Sequence, residues 1–216
     1  MHKSIDNLNL IKEDLKIKIK NYHNVKIIAV SKTFSMETIM PLIEYGHLEY
    51  GENKVQETIA KWTEVKSAKP NIKLHLIGKL QTNKVKLALK LFDYIHSVDT
   101  KKLAKKIADE ELKQNKKIKI FLQVNIGDEE QKSGINKDYL NDFYLYCKNL
   151  NLDVVGLMCI PPADDKSENF FKEMALLTKK LDLKELSMGM SADYIEAAKN
   201  SATYLRIGSN IFGKRS

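Results

Sequence analysis

Eight times along this chain of 216 residues, a short apolar run gives way to a polar or glycine-containing turn and then to a helical pattern. That alternation constrains the fold more than any other feature. A strand that returns parallel to its predecessor needs a crossover, and a helix packed over the sheet is the usual one. The runs fall at 27–30, 48–50, 74–77, 94–98, 118–124, 154–158, 185–188 and 204–207, with helical patterns near 36–45, 53–66, 82–91, 100–114, 136–149, 165–180 and 191–200. Several runs lack apolar–polar alternation, as strands covered on both faces do. Ile5, Leu8, Leu10, Ile11, Leu15, Ile17 and Ile19 add a helical stripe before the first unit, so an extra helix is expected at about residues 3–22. The pattern predicts the α/β class: one (β/α)8 barrel with an N-terminal helix, forming a single domain over residues 1–216. The alternative is an open doubly wound sheet, whose GxGxxG signature is absent after the first strand. Thr100 is expected to cap the 100–114 helix, and residues 161–167 form the longest expected loop.

Composition narrows the classes. Hydrophobic residues make up 43% and charged residues 30%, enough for a full core, which excludes disorder as the main description. Two cysteines, Cys147 and Cys159, exclude a disulfide scaffold and a CxxC site. No apolar run is long enough to span a bilayer, and the N-terminus MHKSIDNLNLIKEDLK has no signal-peptide core, so a cytoplasmic protein without membrane contact is expected. The net charge of +8 invites a nucleic-acid reading, but only Arg206 and Arg215 are arginines. Scattered lysines make a solvated surface, whereas base reading and bidentate phosphate grips favour Arg.

In such a barrel the site forms at the C-terminal ends of the strands. The first run ends in Ser31-Lys32-Thr33. A lysine that is partly desolvated holds its charge less readily, and a neutral amine at Lys32 can form a Schiff base with an aldehyde; the alternative is a lysine that merely starts a loop. The second run ends in Gly51-Glu52-Asn53, where Asn53 offers a donor and an acceptor or simply caps the next helix. His75 reads as a satisfied core histidine, with no partner at metal-ligand spacing, and no metal site is expected. Cys159 reads as a buried structural thiol. The last two units place Gly189-Met190-Ser191 and Gly208-Ser209 at strand ends, just before helices. Two such turns from strands 7 and 8 match the phosphate site of this barrel, against the alternative of plain Ser capping. A lysine at strand 1 and a phosphate cup at strands 7 and 8 suit a small aldehyde bearing a phosphate, and pyridoxal 5′-phosphate (PLP) has both handles.

The strings AVSK (29–32), YGENKVQE (50–57), LHLIGKLQTNK (74–84), SVDT (97–100), GLMCIPP (156–162), LSMGMSADYIEA (186–197) and RIGSNIFGKR (206–215) resemble the YggS/PROSC family of pyridoxal phosphate homeostasis proteins. The resemblance runs from about residue 25 to the end. It implies a barrel like the N-terminal domain of alanine racemase, with PLP held on Lys32. It implies that Ser191, Gly208 and Ser209 hold the phosphate, that Asn53 and Met190 lie beside the cofactor, and that Arg206 faces the pyridine nitrogen. Ser209 stands where Thr is common and Cys159 where Ala is common.

Two functions are then open. The first is a non-catalytic protein that buffers or delivers PLP, a monomer in transient contact with apo forms of PLP enzymes. The second is a PLP-dependent amino-acid racemase. Two-base racemisation needs a second proton carrier opposite the lysine, which in full-length racemases comes from a second domain. The chain ends right after the last barrel unit, so the carrier is the expected function.

Overall fold

The computed structural model describes residues 2–162 and 167–213. Its frame is a closed barrel of parallel strands in chain order: β1 Lys26–Val30, β2 Glu49–Glu52, β3 Lys73–Leu76, β4 Tyr94–Val98, β5 Lys119–Val124, β6 Asp153–Cys159, β7 Glu185–Ser187 and β8 Tyr204–Ile207. The ring closes where β8 pairs with β1, from Lys26↔Tyr204 to Ala29↔Ile207. Outside it lie α2 Met36–Glu44, α3 Val55–Ala68, α4 Val85–Leu91, α5 Lys101–Gln114, α6 Leu140–Asn149, α7 Ser167–Lys180, α8 Tyr194–Lys199 and the single turn α9 Ser209–Phe212. This is the (β/α)8 barrel that the repeated unit predicts.

The additional helix α1, Lys3–Lys18, buries Ile5, Leu8, Ile11 and Leu15, a clean spacing of three and four. Leu10 and Ile17 fall off that stripe and are 68% and 77% exposed. The helix covers the seam between the two ends of the barrel. Asn7 Nδ2 donates to the Ile211 carbonyl (2.9 Å), and Asp14 accepts from the Tyr194 hydroxyl (3.0 Å). It ends before the expected residue 22, because Tyr22–Asn24 turns as a short 3-10 segment into β1.

Two cores result. The larger packs helices onto the outside of the strands. The smaller fills the lumen with Ile28, Tyr94, Phe121, Met158 and Tyr204. Branched aliphatics usually dominate a barrel lumen; here aromatic rings do, and they sheathe a set of polar side chains described below.

Local differences from the sequence expectation have physical reasons. Strand β2 runs through Gly51 and Glu52, which read as a turn in the sequence. A Cβ on Gly51 would stand 2.8 Å from Ile28 Cγ2 on the neighbouring strand β1, so the glycine is there for close approach. Helix α3 then begins at Val55 with Lys54 at the cap position, so Asn53 is not its cap. The patterns at 82–91 and 136–149 each open with a 3-10 turn before the α-helix. Thr100 does cap α5, its hydroxyl accepting from Leu103 N at 3.3 Å. Of the expected 161–167 loop, residues 163–166 lie outside the described residues, as do Lys214 and Arg215 at the end of the last family-like string. Among the described residues no helix is long and apolar enough to cross a membrane.

Candidate functional site

Lys32 lies two residues past the end of β1, after Ser31, at the C-terminal mouth of the barrel. The loop that carries it is pinned from both sides. Ser31 Oγ donates to Glu52 Oε1 (2.7 Å), which also accepts from Trp62 Nε1 (2.9 Å). Glu52 is only 1% exposed, and Lys61 Nζ lies 2.6 Å from the same oxygen. The Lys61 ammonium donates onward to the carbonyls of Ser31 (2.8 Å) and Phe34 (3.2 Å), bracketing Lys32 and Thr33. A buried carboxylate with three donors is satisfied, and removing any one partner strands the others.

Across the β8–β1 seam, two turns face Lys32. After β7 the chain passes Gly189, whose φ of +85° and closeness to Ala197 (2.5 Å from a would-be Cβ) require a glycine. Asp193 Oδ1 then accepts from Met190 N at 2.6 Å. Helix α8 starts only at Tyr194, so Ser191 sits in a turn rather than capping it. After β8, Gly208 lets the second turn lie on Val30, 3.3 Å from a would-be Cβ. Asn210 ties the turns together. Its Nδ2 donates to the Ser191 carbonyl (2.9 Å) and its backbone N–H to Ser191 Oγ (3.4 Å).

Arg206 is 4% exposed. Nη1 donates to Ser187 Oγ (2.7 Å) and Nη2 to the Cys159 carbonyl (2.8 Å), two of its five N–H bonds. Burial lowers its pKa, against the raising effect of Cys159 and Asp193, but a guanidinium keeps its charge in a protein.

Lys32, Asn53, Met190, Ser191, Arg206, Gly208 and Ser209, the seven residues expected from the sequence, all line one cavity of about 360 Å3. Val30, Phe34, Ile77 and Ile160 supply apolar wall, Thr33 adds a hydroxyl-bearing side chain, and no Asp or Glu is among the lining residues described. A lysine, a guanidinium and two serine hydroxyls on one wall favour an anion with a flat apolar body. That donor set fits a phosphorylated aromatic aldehyde: hydroxyls and turn amides for the phosphate, a lysine for the aldehyde, a guanidinium for a ring nitrogen.

The other candidates fall outside the cavity. Cys159 is fully buried, and burial pushes its thiol up to about 12, so it is inert at neutral pH. His75 is buried with both ring nitrogens partnered, as the core-histidine reading has it. Among the described residues no group of three His, Cys, Asp or Glu side chains is placed to hold a metal ion. Sequence reasoning missed Glu52 and Lys61 behind the lysine, Asn210 between the turns, and Ser187 beneath Arg206. Glu52, Ser187 and Asn210 lie inside the strings that drew attention, but nothing in their spacing reveals a partner.

The family described as "Alanine racemase, N-terminal domain" matches residues 7–216. The pyridoxal phosphate homeostasis protein of Haemophilus influenzae is 36% identical, over 97% of this chain and 94% of its own length. That of Aquifex aeolicus is 38% identical, over 88% and 87%. The structure of PipY from Synechococcus elongatus with PLP bound superposes with a TM-score of 0.86 at 31% identity, covering 97% of this chain and 100% of that one. An alanine racemase of Clostridium difficile shares the fold, with a TM-score of 0.75 at 16% identity, over 100% of this chain and 57% of that one.

Proposed function

We propose a function from one premise: the chain belongs to the pyridoxal phosphate homeostasis protein family. In this reading the protein binds PLP reversibly in the barrel mouth and buffers or delivers it, without robust catalysis of its own. The observation that carries the reading is the single cavity that gathers Lys32, Arg206, Ser191 and Ser209 and no carboxylate among its described lining residues. Bound there, PLP would supply an aldehyde that an amine captures reversibly and a ring that draws electrons most strongly when its nitrogen is protonated.

Each residue then has a task. The Lys32 amine takes the aldehyde, on a loop that Glu52 and Lys61 hold still. Ser191 and Ser209 donate to the phosphate, and Gly208 leaves its turn free to lie close. Asn53 and Met190 flank the ring. Arg206 would donate to the ring nitrogen and, as a permanent cation with no acceptor lone pair, could not accept a proton from it. The nitrogen stays unprotonated, the electron sink is weak, and carbanion chemistry at a bound amino acid is disfavoured. Residues 1–216 act as one barrel domain, a cytoplasmic monomer that meets apo enzymes transiently.

The test is spectroscopic. Purified protein mixed with PLP should show a visible absorption band that borohydride bleaches, and Lys32→Ala should lose it. A band that survives in Lys32→Ala assigns the capture to another lysine. PLP should pass from the loaded protein to an apo enzyme. Turnover of L- or D-alanine or serine, followed by chirality, would sink the non-catalytic reading.

A further inference from the structure

The aromatic sheath of the lumen encloses a continuous line of hydrogen bonds from the barrel floor to the cavity. Glu49, the first residue of β2, meets His75 Nε2 at 2.6 Å. His75 Nδ1 meets His96 Nε2 at 2.9 Å, and His96 Nδ1 meets Ser187 Oγ at 2.9 Å. Ser187 Oγ accepts from Arg206 Nη1 at 2.7 Å. The line crosses the lumen between β4 and β7, a separation of 91 residues in the chain. His75, His96 and Ser187 are fully buried.

We infer that Ser187, His96 and His75 are positioning residues: they form a one-way donor chain that holds Arg206 against the ring end of bound PLP. The inference rests on the PLP reading of the cavity. Its direction follows from donor bookkeeping. An ionised carboxylate only accepts, so His75 Nε2 carries a proton and donates to Glu49. A neutral His75 then has a bare Nδ1, which accepts from His96 Nε2–H. His96 Nδ1 is bare in turn and accepts the Ser187 hydroxyl proton. Ser187 Oγ is left with lone pairs for the Arg206 guanidinium. Reversing any single link places two lone pairs or two hydrogens face to face.

The surroundings support neutral imidazoles. His75 stacks on Tyr94 (centroids 4.4 Å, 11° between planes) and His96 on Phe121 (4.2 Å, 19°), with Tyr204 edge-on to His96 at 6.1 Å. Burial lowers both histidines, against the pull of Glu49 and Asp93 on His75; Arg206 lowers His96 further, and any charge on His75 would do the same. Burial pushes the Glu49 carboxyl up, but His75 and the charge of Lys26 leave it lowered overall. The line therefore has a cation at the mouth, a carboxylate at the floor and neutral dipoles aligned between them. In a dry lumen such aligned bonds polarise one another. Without it, Arg206 would keep only the Cys159 carbonyl among the partners named above and could swing out of register.

The test has two readouts. In PLP-free protein at neutral pH, 15N NMR should show His75 and His96 both neutral, each with its proton on Nε2. A proton on Nδ1 of either ring, or a cationic ring, overturns the chain. In PLP-loaded protein, Ser187→Ala and His96→Phe should keep the borohydride-trapped adduct on Lys32 but bind PLP at least fivefold more weakly, with a shifted visible band. Ser187→Thr, which keeps the hydroxyl, should restore both. Variants that lose stability yet match the wild type in affinity and band overturn the positioning role alone. A wild type that takes up no PLP overturns the functional reading, and this role with it.

Discussion

Cys159 shows how little a residue's type says about its work. Its thiol could pass for a nucleophile, but burial holds it up to about 12, and what the site uses is its backbone carbonyl, which accepts from Arg206. Cys147 is likewise buried, and burial pushes it up to about 12. Both thiols are therefore protonated and shielded in the native protein, and the thiolate is the reactive form. Native protein should leave a thiol reagent such as DTNB essentially unconsumed, and addition of denaturant should release two equivalents per chain. Rapid reaction of one thiol without denaturant would show that its burial is not as described. At this same scale the sequence was most informative for residues next to strand ends. Lys32, Ser191, Gly208 and Ser209 could be placed because a barrel puts those ends at one mouth. Glu52 could not, because glycine and glutamate after a short apolar run read as a turn. Pairing with β1 and β3 keeps them in a strand, and the close packing of Gly51 on Ile28 and the three donors around the carboxylate make that place tenable.

At the scale of elements, the segment joining β1 to α2 is the one on which the site depends. It has little regular structure of its own, and its shape comes from β2 and α3 through Glu52, Trp62 and Lys61. Glu52→Ala would leave the Lys61 ammonium, whose side chain is 15% exposed, without its counter-ion, and the Ser31 hydroxyl and Trp62 N–H without their carboxylate acceptor. Uncompensated buried charge of this kind costs about 3–5 kcal/mol. The urea midpoint should fall accordingly, and the residual folded protein should capture PLP more slowly. A midpoint within experimental error of the wild type would show that the clamp is not load-carrying for the fold. Helices were readable to within a few residues, since their apolar stripes are local. Their first turns were not: 82–84 and 137–139 wind as 3-10 segments, and α8 waits until Tyr194 because Asp193 is engaged with Met190 N.

For the whole molecule, the buried polar line makes stability depend on pH. His75 and His96, and outside the line His47 (to about 4), have pKa values lowered from the ordinary 6.5 by burial. The unfolded chain takes up those three protons below about 6.5, while the folded chain resists until lower pH. In that window the unfolded state binds more protons, so stability is complete above pH 6.5 and falls as the pH drops. The slope is up to about 1.4 kcal/mol per pH unit for each histidine. Urea midpoints should be level from pH 8 to 7 and decline from 6.5 to 5, and the decline should be shallower in His96→Phe. A flat profile across the acid range would mean that the rings are charged in the folded state.

The chain's order of apolar runs, turns and helical stripes by itself determined the barrel, because each unit must bury its own strand and helix faces against its neighbours. It also determined which turns meet at the mouth, since closing the ring brings the last strands beside the first. Only the tertiary structure decided what fills the lumen. Glu49, His75, His96, Ser187 and Arg206 come from five separate strands, and no periodicity links them. Hydrogen-bond partners across a barrel are set by the register and closure of the ring, which are properties of the packed sheet and not of any segment within it.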